Sequence, residues 1–274
     1  MTAVHEARAL RALDVSGALP LLAGTPWRGI MILATGFAIV VGLVRVGVLP
    51  AAVLAVAAVA TVHGGLLATA VAWSTPSPPA HERLAPTFVL AGALLIAATA
   101  TAVHPLGALA YVAPPVAMAL LLDPRRAVFP SRGLLVTAAL FGIGVGAHLL
   151  LAASSTLGHR PHVPQSAAAI GALGYDAGAN VLSAECFFRG ALFDRLQRRW
   201  SFTAAATAST AAGVLRYLID PLLPKTPDAV IGAVFYLGLL GVFNCWLLWR
   251  SGSVLPGIVS SLLFFTAYRL LTTG

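Results

Sequence analysis

Charge is what this chain has least of. Asp, Glu, Lys and Arg make up 9% of its 274 residues, where a soluble domain carries roughly 25%. That shortfall excludes a water-soluble core wrapped in a polar surface. Cysteine is scarce too: Cys186 and Cys245 both lie in apolar stretches. A disulfide framework is therefore not expected. No Cys-x-x-Cys and no Cys/His cluster suggests a metal, and no cofactor is expected. Lysine is almost missing, since 16 of the 17 cations are Arg. The first 25 residues mix polar and apolar side chains and include Arg8 and Arg11. They are expected to form a cytoplasmic or interfacial lead-in, with an amphipathic helix around Val4–Leu13, and not a cleaved signal peptide.

What the chain has is apolar length. It is 59% hydrophobic, with a mean hydropathy of +0.90. Apolar runs of about 17–25 residues are the unit of a helical membrane span. Nine such runs are found: Gly29–Val48, Ala51–Trp73, Pro86–Val103, Leu106–Leu122, Leu134–Ala153, Ala167–Leu196, Phe202–Ile219, Ala229–Trp249 and Val254–Leu271. The count falls to eight if Pro114-Pro115 turns the fourth run into a re-entrant segment. The expected fold is all-α, a polytopic transmembrane helical bundle of eight or nine spans. Residues 1–28 form the lead-in and 29–274 a single membrane domain. Ser74–Pro86 and Pro161–Pro164 are loops. In the fifth run, Gly142-x-Gly144-x-Gly146 offers small residues for close helix packing.

The net charge of +8 does not point to nucleic acid, because the arginines sit in short clusters between apolar runs. With the N-terminus in the cytoplasm, the cytoplasmic side holds Arg8, Arg11, Arg28, Arg83, Arg125, Arg126, Arg132, Arg195, Arg198, Arg199 and Arg250. The outer side holds Arg45, Arg160, Lys225 and Arg269. Eleven against four is the positive-inside pattern. The expected setting is a plasma membrane, bacterial by its Arg/Ala-rich, Lys-poor composition. Its expected partners are the lipid bilayer and a peptide or protein substrate, with no nucleic acid.

Against this background Ala184-Glu185-Cys186-Phe187-Phe188-Arg189-Gly190 stands out. A carboxylate and a guanidinium sit four residues apart in a buried-helix pattern. Ionised groups at membrane depth are costly unless paired or wet, so they mark functional sites. The sixth and seventh runs form a hairpin turning near Arg199-Trp200-Ser201. Glu185 lies 15 residues before Trp200 and Arg216 lies 16 after it. At about 1.5 Å per residue both sit roughly 20–25 Å from the turn. Ser260 and Ser261 lie at roughly 15 Å into the last run. Glu185, Arg189, Arg216 and the serine pair are thus expected in one layer. Either a structural ion pair or an active or ligand-binding site in a wet cavity satisfies this pattern; a bidentate Glu–Arg pair would lower the cost of burial. Asp176 and Asn180 extend the polar stripe and could line a water path or face a neighbouring helix. His63 and His148, mid-span, read as cross-helix hydrogen-bond partners. His159, Arg160 and His162 read as a solvated loop. Phe187 and Phe188 read as core, and Trp200, Trp246 and Trp249 as interfacial anchors. No Gly-x-Ser-x-Gly is present, and the sequence places no His beside Ser183, Ser260 or Ser261.

Residues 184–200, AECFFRGALFDRLQRRW, resemble the first motif of the CPBP (Abi) family, the relatives of CAAX prenyl endopeptidases. That motif reads Glu-Glu-x-x-x-Arg-Gly; Glu185, Phe187, Phe188, Arg189, Gly190, Leu192 and Leu196 match it. The stretch Trp249-Arg250-Ser251-Gly252-Ser253-Val254-Leu255-Pro256 is similar to the loop before the family's last catalytic helix. The resemblance covers residues 166–274. It implies an intramembrane glutamic-type endopeptidase that processes a membrane-proximal peptide, with Glu185, Arg189, Arg216 and Ser261 as its site. Several motif positions differ. The family's water-activating first Glu falls on Ala184, and the His of Phe-x-x-x-His on Arg216 or Tyr217. In His-x-x-x-Asn, Ser261 and Phe265 stand at the His and Asn. All seven histidines precede residue 163. Water activation needs a base with positioned neighbours, so the resemblance implies an altered or lost catalytic centre. The alternative is a non-enzymatic binding or partner protein with a structural Glu–Arg pair. A transporter is a weaker reading, since no inverted repeat or broken-helix pair supports it.

Overall fold

The computed structural model describes residues 21–75, 84–122, 128–156, 158, 161, 166–219 and 226–272. The proposed Val4–Leu13 helix, residues 76–83 of the Pro-rich loop, Arg83, Arg125, Arg126, His159, Arg160, His162 and Lys225 lie outside them. Among the described residues there is no strand, as expected of a backbone that must satisfy its own hydrogen bonds in lipid. Nine helices follow one another: α1 Trp27–Arg45, α2 Ala52–Ser74, α3 Leu84–Val103, α4 Pro105–Leu121, α5 Arg132–Thr156, α6 at 166–197, α7 Phe202–Ile219, α8 Pro227–Ser251 and α9 Leu255–Thr272. Each coincides with one of the nine apolar runs.

The chain is an integral membrane protein by length, composition and surface. Five helices are long and apolar enough to cross a bilayer. Large apolar side chains face outward, among them Met31 at 60%, Leu140 at 66% and Leu120 at 81% exposure. Such a surface fits a hydrocarbon solvent and not water.

α4 runs through Pro114-Pro115 as one continuous helical segment. Its first part, Pro105–Val112, is 3-10 helix and its second, Ala113–Leu121, is α-helix. Pro114 and Pro115 sit in the first turn of the α segment, where a missing N–H costs nothing. The 3-10 part rises about 2.0 Å per residue and the α part about 1.5 Å. Seventeen residues therefore extend roughly 30 Å, so both the eight-span and the nine-span count stay compatible with the helices.

α5 and α9 are packed backbone to backbone. A Cβ on Gly142 would lie 2.3 Å from the Ser260 carbonyl oxygen, and one on Gly146 would lie 2.8 Å from the Ala267 methyl. Gly144, on the opposite face, has nothing within 4 Å. The two glycines a turn apart form a small-xxx-small seam.

Two helices that build the site depart from α geometry. π-helical turns occupy Val59–His63 in α2, and Asp176–Asn180 and Glu185–Phe193 in α6. π turns are rare and gather at functional sites. Here they carry His63, Asp176, Asn180, Glu185 and Arg189.

Candidate functional site

Glu185 is the centre of a three-helix contact. It is 3% exposed. Its Oε1 accepts a 2.9 Å hydrogen bond from Ser261 Oγ on α9 and a 3.0 Å bond from Asn244 Nδ2 on α8. Asn244 Nδ2 also lies 2.9 Å from Ser261 Oγ, so the three side chains close a triangle. The first turns of α9 make room for it: a Cβ on Gly257 would come within 2.9 Å of Glu185 Oε2.

The second carboxylate oxygen behaves differently. Glu185 Oε2 has no hydrogen-bond partner, and Arg189 Nε lies 3.7 Å from it. That distance is an ion pair but too long for a hydrogen bond. The expected bidentate Glu–Arg pair is not formed, because the guanidinium approaches with its Nε edge alone. Arg189 is 7% exposed, and Glu185 is its one polar side-chain partner among the described residues.

Arg216 does not meet Glu185, contrary to the layer argument in its strongest form. Its Nη1 donates to Asn180 Oδ1 at 3.2 Å, and its Nη2 lies 3.2 Å from His63 Nε2. His63 Nδ1 is 2.6 Å from Ser183 Oγ, and His63 Nε2 is 3.0 Å from the Tyr175 hydroxyl. Arg216 can only donate, so His63 Nε2, 3.2 Å from it, is the acceptor, and Ser183 Oγ has the Asn180 carbonyl at 3.3 Å as an acceptor for its own proton. His63 Nδ1–H is then the donor to Ser183. The mid-span histidines do bond across helices, His148 with the Tyr236 hydroxyl at 2.9 Å.

The polar stripe of α6 faces a neighbouring helix. Asn180 Nδ2 donates to Asp176 Oδ1 at 3.1 Å. Arg269 of α9 holds the same carboxylate with two bonds of 2.8 Å, Nε to Oδ2 and Nη2 to Oδ1. The sequence placed Arg269 at the outer rim by its position near the end of the last run. The structure turns it inward onto a fully buried acid.

Glu185, Arg189, Arg216 and Ser261 line one cavity of about 40 Å³. Ala184, Tyr217 and Phe265 line it as well. Ser260 does not; it is buried at the α5 seam, and its hydroxyl has no partner. A space of that size takes a few water molecules or one small polar group. Two participants escaped the sequence reading. Asn244 was legible as a lone amide within the apolar eighth run, the kind of residue that bonds across membrane helices. His63 was noted, but its partners were not.

A family model described as Type II CAAX prenyl endopeptidase Rce1-like matches residues 166–264. This region of the chain is similar to the CAAX protease-like family. No curated protein and no solved structure matches the chain. Of the positions that the resemblance aligned with CAAX protease-like motif residues, Ala184, Glu185, Arg189, Arg216, Tyr217, Ser261 and Phe265 line this cavity. Within that lining the acid is Glu185, the cations are Arg189 and Arg216, and there is no histidine. The arrangement can hold a small polar group by hydrogen bonds from guanidinium N–H and by the Glu185 Oε2 acceptor. It offers one carboxylate where the family pattern has two.

Proposed function

We propose that this integral membrane, CAAX protease-like protein binds a membrane-proximal peptide by a small group that enters its cavity, without hydrolysing it. One observation carries the reading. The carboxylate that remains, Glu185, has one oxygen tied to Asn244 and Ser261 and the other beside Arg189, while the partner position is Ala184. A general base must be free to take a proton from water within hydrogen-bond reach. Ser261 spends its hydroxyl proton on Glu185, and Arg216 spends N–H groups on Asn180 and His63. The hydroxyl that could have positioned a water beside Glu185 is thereby engaged. The eleven-to-four distribution of cations supports a cytoplasmic N-terminus, and the Lys-poor, Arg/Ala-rich composition supports a bacterial plasma membrane.

A second reading, hydrolysis with Glu185 as base, draws on the free Oε2 that faces the cavity. The two separate in one experiment. The full chain in lipid nanodiscs is incubated with a mixture of apolar peptides and the products are analysed by mass spectrometry. No cleavage above the protein-free rate is expected, and Glu185→Gln should match the wild type. Cleavage that Glu185→Gln abolishes in a still-folded protein would overturn the binding reading.

A further inference from the structure

Two cations and one acid line the cavity, and the cations are poorly matched. Arg189 is 7% exposed, yet its Nε has no hydrogen-bond partner, and its nearest acid oxygen is 3.7 Å away. Arg216 meets an amide and an imidazole, both without formal negative charge in the tautomer derived above, and its Nε is buried without a partner. Asp176, the next acid along α6, is already held by Arg269. The cavity walls therefore carry one positive charge in excess. Arg189 is buried and Arg216 partly buried; a cation held away from water without its own counter-charge is costly, and within a membrane it points to a site.

We propose that the cavity seats a carboxylate group between Arg189 and Arg216. This rests on the reading of the cavity as a binding site. A monovalent anion balances the excess, whereas a doubly charged phosphate would overshoot it. The guanidinium is a planar fork whose paired N–H groups match the two oxygens of a carboxylate. The volume, about 40 Å³, suits such a head group and excludes a peptide body. A peptide would enter by its C-terminal carboxylate, with its apolar remainder outside; a small free acid would enter whole.

The test uses the full chain in nanodiscs and a fluorescent apolar hexapeptide with either a free or an amidated C-terminus. The free acid should bind about tenfold tighter than the amide, the scale of one charge-assisted hydrogen bond. Sodium acetate should compete, and sodium chloride at equal ionic strength should not. Arg189→Gln and Arg216→Gln should each erase the difference between acid and amide. Arg45→Gln, at an exposed position, should keep it. If the peptide binds in neither form but acetate raises the unfolding temperature of the wild type, a small free acid is the occupant. The competition arm needs no variant, so a misfolded one does not protect the proposal. Equal binding of acid and amide with no effect of acetate would overturn it, as would equal competition by chloride, or an acid preference that survives in the double variant. Cleavage of the hexapeptide would instead sink the non-hydrolytic reading and leave the carboxylate preference standing.

Discussion

Asn244 on α8 donates a 3.0 Å hydrogen bond to Glu185 on α6, and the same amide reaches Ser261 on α9 at 2.9 Å. One neutral side chain thus ties three helices to one buried acid. Hydrogen bonds between neutral groups in membrane bundles contribute about 0.6 kcal/mol on average. Bonds to a charged group are stronger, about 1.5–3 kcal/mol. Asn244→Ala is therefore expected to destabilise the protein by about 2 kcal/mol. In the Glu185→Gln background the same change should cost about 1 kcal/mol less, since the acceptor is then neutral. Reversible unfolding of the four proteins in mixed micelles gives the coupling directly. A coupling of zero would show that the triangle does not hold the acid.

The Asp176–Arg269 pair makes an asymmetric prediction. The Asp176 side chain is 1% exposed and the Arg269 side chain 24%. Arg269→Gln leaves a buried carboxylate with Asn180, and should cost about 3–5 kcal/mol. Asp176→Asn leaves a guanidinium that can turn toward solvent, and should cost less, about 1–2 kcal/mol. The double substitution Asp176→Asn with Arg269→Gln should recover most of the loss caused by Arg269→Gln alone. Unfolding midpoints of the three variants test the order. Equal losses for both single substitutions would contradict it.

These clusters show what a sequence conveys about a membrane bundle. Apolar run length fixed all nine helices, because in lipid the length of a run is itself the structural signal. Distance from a turn fixed depth: Glu185 and Arg216, counted from Trp200, do line the same cavity. Rotation about each helix axis was not legible. Arg216 points to Asn180 and His63, and Arg269 points in where its rank in the run suggested the rim. Both misjudgements involve partners on or beside π turns, which shift the angular register that a regular helix would keep. The family motifs were legible without rotation, since they carry identity and spacing alone. His63 was beyond them, because it comes from α2, outside the matched residues 166–264.

His63 should therefore hold one tautomer. With Nδ1–H donated to Ser183 and Nε2 facing Arg216 and Tyr175, the ring nitrogens are inequivalent. Solid-state nitrogen NMR of labelled protein in lipid should show a single neutral species protonated at Nδ1. Ser183→Ala removes the acceptor of that proton, and should move the proton toward Nε2 in part of the population. A spectrum unchanged by Ser183→Ala would contradict the assignment.

The α5–α9 seam supplies the sharpest contrast, because of two glycines two residues apart only one should resist a methyl group. A methyl at Gly142 would stand 2.3 Å from the Ser260 carbonyl oxygen, which is backbone and cannot swing away. Gly142→Ala must push the helices apart and should destabilise by about 1–3 kcal/mol. The damage should reach the cavity, since Ser261 follows Ser260 and would be carried off Glu185; a weakened Glu185–Ser261 coupling in Gly142→Ala would record it. Gly144 has open space where its Cβ would stand. Gly144→Ala should be neutral or stabilising by up to about 1 kcal/mol, the helix-propensity gain of alanine over glycine. Unfolding midpoints of the two variants, measured side by side, decide the matter: losses of similar size would mean that α5 is rotated from the face that places Gly142 on α9.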